Sequence, residues 1–107
     1  MSASRIEVFE QMLAGDPANT AVLFGLAKEY EKSGDEGKLI ETLERYLAAA
    51  DDEGNAYGML ARAYERTNQR EKARETYVRG ADVAMAHGHP SMSQEYREAL
   101  TTEVSAP

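Results

Sequence analysis

Apolar residues return every three or four positions from Ile6 to Leu100, the spacing that lines one face of a helix. Ile6, Phe9, Met12 and Leu13 form the first stripe. It predicts a helix from about Arg5 to Ala14, opened by a Ser4–Glu7 capping box and closed by Gly15. Val22, Leu23, Leu26, Ala27 and Tyr30 make a second helix, with Asp16 as its cap, Pro17 in its first turn and Ser33-Gly34 at its end. A third starts after Asp35 and carries Leu39, Ile40, Leu43, Tyr46 and Leu47. The fourth spans Asn55 to Arg66 with Tyr57, Leu60, Ala61 and Tyr64 on one side. Asn68, with Glu71 three residues on, is expected to cap a fifth helix from Arg70 to Ala86, whose apolar positions are Ala73, Tyr77, Val78, Ala81 and Ala84. His87-Gly88-His89-Pro90 breaks the pattern, and a shorter sixth helix from Ser91 to about Thr102 carries Met92, Tyr96, Ala99 and Leu100. No segment alternates apolar and polar residues as a strand would, and Ala, Glu, Leu, Lys, Arg and Met dominate between the Gly and Pro breaks. The expectation is an all-α chain of about six helices.

Composition narrows the function more than the fold. The chain has 107 residues, one domain's worth, with a net charge of −7. That balance disfavours a phosphate-backbone binder and an anionic membrane surface, so neither nucleic acid nor membrane is an expected partner. Cysteine is absent, which removes disulfides, thiolate metal sites and cysteine nucleophiles. No apolar run is long enough to span a bilayer, and the first residues lack a signal-peptide core. A cytoplasmic location is the expectation. The charge is also uneven: residues 54–86 carry +2, while 51–53 alone carry −3.

Sliding the chain on itself by 34 residues aligns Leu26, Ala27, Tyr30 and Glu31 with Leu60, Ala61, Tyr64 and Glu65. It also aligns Lys38, Glu41, Thr42, Arg45 and Ala50 with Lys72, Glu75, Thr76, Arg79 and Ala84. A period of that length made of two helices implies a stacked helical array and not a closed bundle. The chain resembles the tetratricopeptide-repeat family. Leu23-Leu26-Ala27-Tyr30 and Tyr57-Leu60-Ala61-Tyr64 match the family's first helix, Gly34-Asp35 its mid-repeat turn, and Ala73, Tyr77 and Gly80 its second helix. Asp16-Pro17-Ala18-Asn19 matches its end signature, which makes the first helix the second half of a truncated repeat. The resemblance implies helix–turn–helix repeats stacked as a short right-handed solenoid: a half repeat over 1–17, full repeats over 18–53 and 54–87, and a capping helix over 90–103. Two departures stand out. Leu39 and Tyr46 replace small residues, and their bulk is expected to spread or tilt the helices of that repeat.

The resemblance also implies where function sits. Such arrays hold a peptide or partner helix on the surface lined by first helices. Its groove positions fall here on Ala21, Phe24, Lys28, Glu31 and Lys32, and one repeat on at Asn55, Gly58, Arg62, Glu65 and Arg66. Lys28 and Lys32 are four apart, as are Arg62 and Arg66, so each pair shares a helix face and the pairs recur at the repeat offset. A basic stripe that holds the carboxylates of an acidic or C-terminal peptide is one reading. A solvated face with Glu31 and Glu65 as local partners is the other. Phe24 lies off the main apolar stripe and either faces the groove or packs on the preceding helix, and Gly58 leaves space for a partner side chain. The family's carboxylate clamp is not expected, because Phe24 and Met59 stand where it needs polar groups.

Nothing else makes a case for chemistry. His87 and His89 lie in a helix-ending turn, and Asp51-Asp52-Glu53 lacks the spacing of a calcium loop and reads as a solvated turn with helix-start charge. No phosphate loop or nucleophile set is present, so neither an enzyme nor a cofactor is expected. Two functions follow. One is an adaptor that holds another protein's segment through Phe24, Lys28, Lys32, Asn55, Arg62 and Arg66. The other is a homo-oligomerisation module, possible because the Ile6-Phe9-Met12-Leu13 helix has no partner helix of its own.

Overall fold

A computed structural model of the chain describes residues 3–105. Six helices follow in order: α1 (Ala3–Gly15), α2 (Thr20–Ser33), α3 (Glu36–Ala49), α4 (Asn55–Arg66), α5 (Arg70–Ala86) and α6 (Pro90–Ser105). They fall into two compact units, residues 1–51 and 52–107. In the first, α2 packs against both α1 and α3; in the second, α5 packs against both α4 and α6.

The expected helices are all present, and α4 and α5 run between the predicted residues. Their termini follow rules that the sequence partly disguises. Asp35 caps α3 as expected, its side chain accepting from the Lys38 amide at 3.2 Å. Asp16 does not cap α2. The cap is Asn19, whose Oδ1 accepts from the Val22 amide at 3.2 Å, while Asp16 accepts from Asn19 Nδ2 at 3.2 Å. Asp16-Pro17-Ala18-Asn19 is therefore a turn ahead of the helix, closed by Asn19 N donating to Asp16 O at 3.1 Å. The Ser4–Glu7 capping box rests on a Ser4 side chain outside the described residues, and α1 already begins at Ala3.

Asn68 is not the cap of α5 either; Gln69 holds that position and makes no side-chain cap bond. Asn68 instead takes a left-handed backbone, φ 62°, one period after Gly34 at φ 76°. The two ends are superimposable in their bonding. Gly34 N donates to Glu31 O and Asp35 N to Tyr30 O; Asn68 N donates to Glu65 O and Gln69 N to Tyr64 O. This is the Schellman-type closure, and Asn tolerates its left-handed residue better than most non-glycines. Gly88, φ 80°, closes α5 the same way, with His89 N donating to Ala84 O at 2.8 Å.

The core of the first unit is leucine-rich: Leu13, Leu23, Leu26, Leu39 and Leu43 are all buried, with Ala27 and Tyr30. Leu39, one of the two bulky departures, is taken into this core at 1% exposure. In the second unit Ala61, Tyr77, Ala81 and Tyr96 form the centre, with Met92, Ala99 and Leu100 of α6 against it. Small residues facing large rings let helices approach closely, which is how a core poor in leucine reaches interior density. Polar backbone repeats alongside. Thr42 and Thr76, one period apart, each donate to the carbonyl four residues back, Lys38 and Lys72, at 2.7 Å. Lys38 and Lys72 ammonium groups each lie 5.8 Å from a tyrosine ring centre, Tyr30 and Tyr64.

Candidate functional site

In the first unit the residues expected to bind a peptide lie along α2. Phe24 is half-buried, and its ring meets Tyr46 of α3, centroids 5.2 Å apart. Its neighbour Gly25 faces α1, and a Cβ there would sit 3.2 Å from the Phe9 ring. Lys28 is exposed, and its ammonium stands 5.8 Å from the centre of the Phe24 ring. Lys32 is exposed too and pairs with Glu29 at 3.5 Å; Glu29 also takes Arg5 of α1 at 3.2 Å. Phe24, Tyr46 and Lys28 thus make an aromatic pair with a cation at its edge.

In the second unit Asn55, Arg62 and Arg66 are exposed on α4. Gly58 does not leave a vacant space. A Cβ there would collide with the phenol of Tyr96, which lies 2.8 Å away at Cε1. Tyr96 is 3% exposed and donates its hydroxyl to the Gly54 carbonyl at 2.8 Å. Its ring also lies 3.1 Å from a Cβ placed on Gly80. Gly58 and Gly80 stand one period after Phe24 and Tyr46. At the same two positions, the first repeat places two rings in mutual contact and the second places two glycines that receive a ring from α6. This pairing was the signal in the sequence: aromatic–aromatic in one repeat and glycine–glycine in the next is a volume exchange that some later residue must fill.

The electrostatics of α4 are set by its tyrosine neighbours. Tyr77 of α5 donates to Glu65 at 3.0 Å; burial, that bond and the carboxylate's charge hold its phenol above the ordinary tyrosine range, with Arg62 opposing. Glu65 is therefore engaged by a tyrosine hydroxyl. Burial also raises Tyr96, again against Arg62. In the first unit Tyr30 is raised by burial and by its 2.6 Å bond to Glu10. At the start of α4, Asp52 Oδ2 accepts from Gly54 N at 2.8 Å and Ala56 N at 3.0 Å, the helix-start role expected of that acidic turn. His89 Nε2 meets Glu53 Oε1 at 2.6 Å, which lowers the Glu53 pKa.

A cleft of about 280 Å³ in the first unit is bordered by two acids, Glu10 and Glu41, and two bases, Lys38 and Arg45. Among the described residues no group of three or more His, Asp or Glu side chains is arranged to hold a metal. No described helix is long and apolar enough to cross a membrane.

No family model matches the chain. It is 29% identical over 90 residues to the TPR repeat-containing protein PA0015 of Pseudomonas aeruginosa, covering 84% of this chain and 86% of that protein. The crystal structure of MamA superposes with a TM-score of 0.67 at 22% identity over 92% of this chain. The chain resembles tetratricopeptide-repeat proteins in sequence and shares their helical-repeat fold. It spans 66% of the length of MamA, itself a protein of this repeat class. The period of 34, the paired small–x–x–Tyr signatures and the superimposable turns at Gly34 and Asn68 are then one fact seen three ways. Tetratricopeptide repeats are in general non-catalytic modules for protein–protein interaction.

Proposed function

We propose that the chain is an adaptor whose first helices hold an acidic segment of another protein. Phe24, Lys28 and Lys32 on α2 and Asn55, Arg62 and Arg66 on α4 are its contact residues. The supporting observation is the recurrence of exposed cations at one offset: Lys28 with Arg62 and Lys32 with Arg66. Carboxylates of the partner pair with these cations, and an apolar side chain beside them rests on the Phe24–Tyr46 rings, which are fixed before the partner arrives. The chain's net charge of −7 disfavours an acidic segment away from these cations. The repeat boundaries read from the period and a cytoplasmic setting belong to the same proposal. Affinity capture from a lysate of the source organism tests it. Proteins rich in Asp/Glu segments should be retained by the wild type and lost by the Arg62→Glu, Arg66→Glu variant. Retention that ignores the charge reversal rejects the reading.

A second reading, homo-oligomerisation through α1, is favoured by one observation. Val8 and Met12, four apart on α1, are 51% and 48% exposed, whereas Leu13 on the other side of the helix is buried.

A further inference from the structure

The exposed flank of α1 carries more than two apolar side chains. At 100° per residue, Arg5, Val8, Met12 and Gly15 fall within about a quarter of the helix circumference. The stripe is ordered: a cation near the start, two apolar residues in the middle, and Gly15 followed by Asp16 at the end. A Cβ on Gly15 would meet nothing within 4 Å, so the backbone there is open to close approach. Arg5 is 67% exposed at its side chain.

Resting on the second reading above, we infer that this flank binds a second copy of the chain, with α1 antiparallel to α1 of its partner about a two-fold axis near residue 10. The pattern is complementary to itself when reversed. Val8 then lies over Met12 of the other copy, and Arg5 over Gly15 and Asp16, twice by symmetry, as an isologous interface requires. The spacing closes. Val8 and Met12 are separated by about 6 Å along the axis, and Arg5 and Asp16 by about 16 Å, so one rotation satisfies both pairs. Each charge also stands at the wrong end of its own helix dipole, a cation in the first turns and an acid just past the last; antiparallel pairing sets each beside its opposite. Arg5 keeps Glu29 at 3.2 Å and has donors to spare for a second carboxylate.

Among the described residues the second unit does not repeat this order of charge and apolar side chains. The exposed residues of α6 include Gln94, Glu95, Arg97 and Glu98, which make a hydrated outer face, and the exposed Val78 and Met85 of α5 are seven residues apart with Asp82 between them. A foreign amphipathic helix would need no such two-fold order of charges, which is why a second copy is the occupant chosen.

Sedimentation equilibrium of the full chain from 10 μM to 1 mM tests the inference. The apparent mass should climb from 11.8 kDa toward twice that value. Met12→Glu and Val8→Glu, both surface changes, should each hold it at the monomer value with helical circular dichroism unchanged. Arg5→Asp alone should weaken the dimer at least tenfold, and Arg5→Asp with Asp16→Arg should restore it. A monomer at 1 mM overturns both the inference and the oligomer reading. A dimer indifferent to Met12→Glu, or one not restored by the charge swap in a folded variant, overturns the inference and leaves the oligomer reading standing.

Discussion

Replacing Gly80 by alanine tests the core of the second unit, because two effects of opposite sign meet there. Alanine in place of glycine inside a helix ordinarily stabilises by about 1 kcal/mol, through helix propensity alone. At Gly80 the added Cβ would sit 2.7 Å from Cβ of Tyr57 and 3.1 Å from the ring of Tyr96. Tyr57 Cβ is fixed to the α4 backbone and cannot rotate away, so α4 and α5 must separate by several tenths of an ångström. Overpacking of that kind costs about 1–3 kcal/mol, which outweighs the propensity gain. The net expectation is a loss of up to about 2 kcal/mol, or up to roughly 8 °C in Tm for a chain near 100 residues. Gly37→Ala is the matched control. Gly37 is also helical, and its Cβ would meet nothing within 4 Å, so it should gain about 0.5–1 kcal/mol. Thermal and urea unfolding followed at 222 nm reads both. If Gly80→Ala stabilises as Gly37→Ala does, the close seating of Tyr96 and Tyr57 on α5 is wrong.

Three further outcomes follow from single groups. Ser93 is fully buried with its hydroxyl unpaired, so Ser93→Ala should leave stability unchanged or raise it by about 1 kcal/mol in urea unfolding, against the usual loss for a core substitution. Asp52→Ala removes an acceptor from two amides at the start of α4 and should cost about 1 kcal/mol in the same assay. Tyr30 and Tyr77 are held above the ordinary tyrosine range, so absorbance at 295 nm should show both resisting ionisation at a pH where a free tyrosine ionises. Their contribution to stability is complete below the unfolded tyrosine pKa of about 10 and is lost as pH rises past it, so alkaline unfolding should begin there and Tyr77→Phe should flatten it.

The helices and the period were legible because both rest on local spacing. Leu26-Ala27-Tyr30 and Leu60-Ala61-Tyr64 state the buried face twice, and Ala27 and Ala61 are both fully buried. Cap identity was less so. Asp16, Asn19, Asn68 and Gln69 are all competent near a helix start, and the choice falls to backbone geometry: Asn68 is needed in the left-handed position that Gly34 fills one period earlier, which leaves the cap to Gln69. The site was legible as a set of exposed cations and illegible where distant residues intervene. Phe24 finds Tyr46 22 residues on, and the hollow at Gly58 is closed by Tyr96, 38 residues on and outside the period. Neither contact has a signature within one helix turn; the sequence trace they leave is the exchange of Phe24 and Tyr46 for Gly58 and Gly80 one period on.

The adaptor reading stands or falls on charge at four positions. Fluorescence anisotropy with a labelled Glu/Asp-rich peptide carrying one Leu or Phe, titrated with the wild type and with the Lys28→Glu, Lys32→Glu and the Arg62→Glu, Arg66→Glu variants, measures this directly. Micromolar binding to the wild type, weakened at least tenfold in each variant and further by added salt, is the predicted result. Equal binding by all three proteins, or none by the wild type, contradicts it.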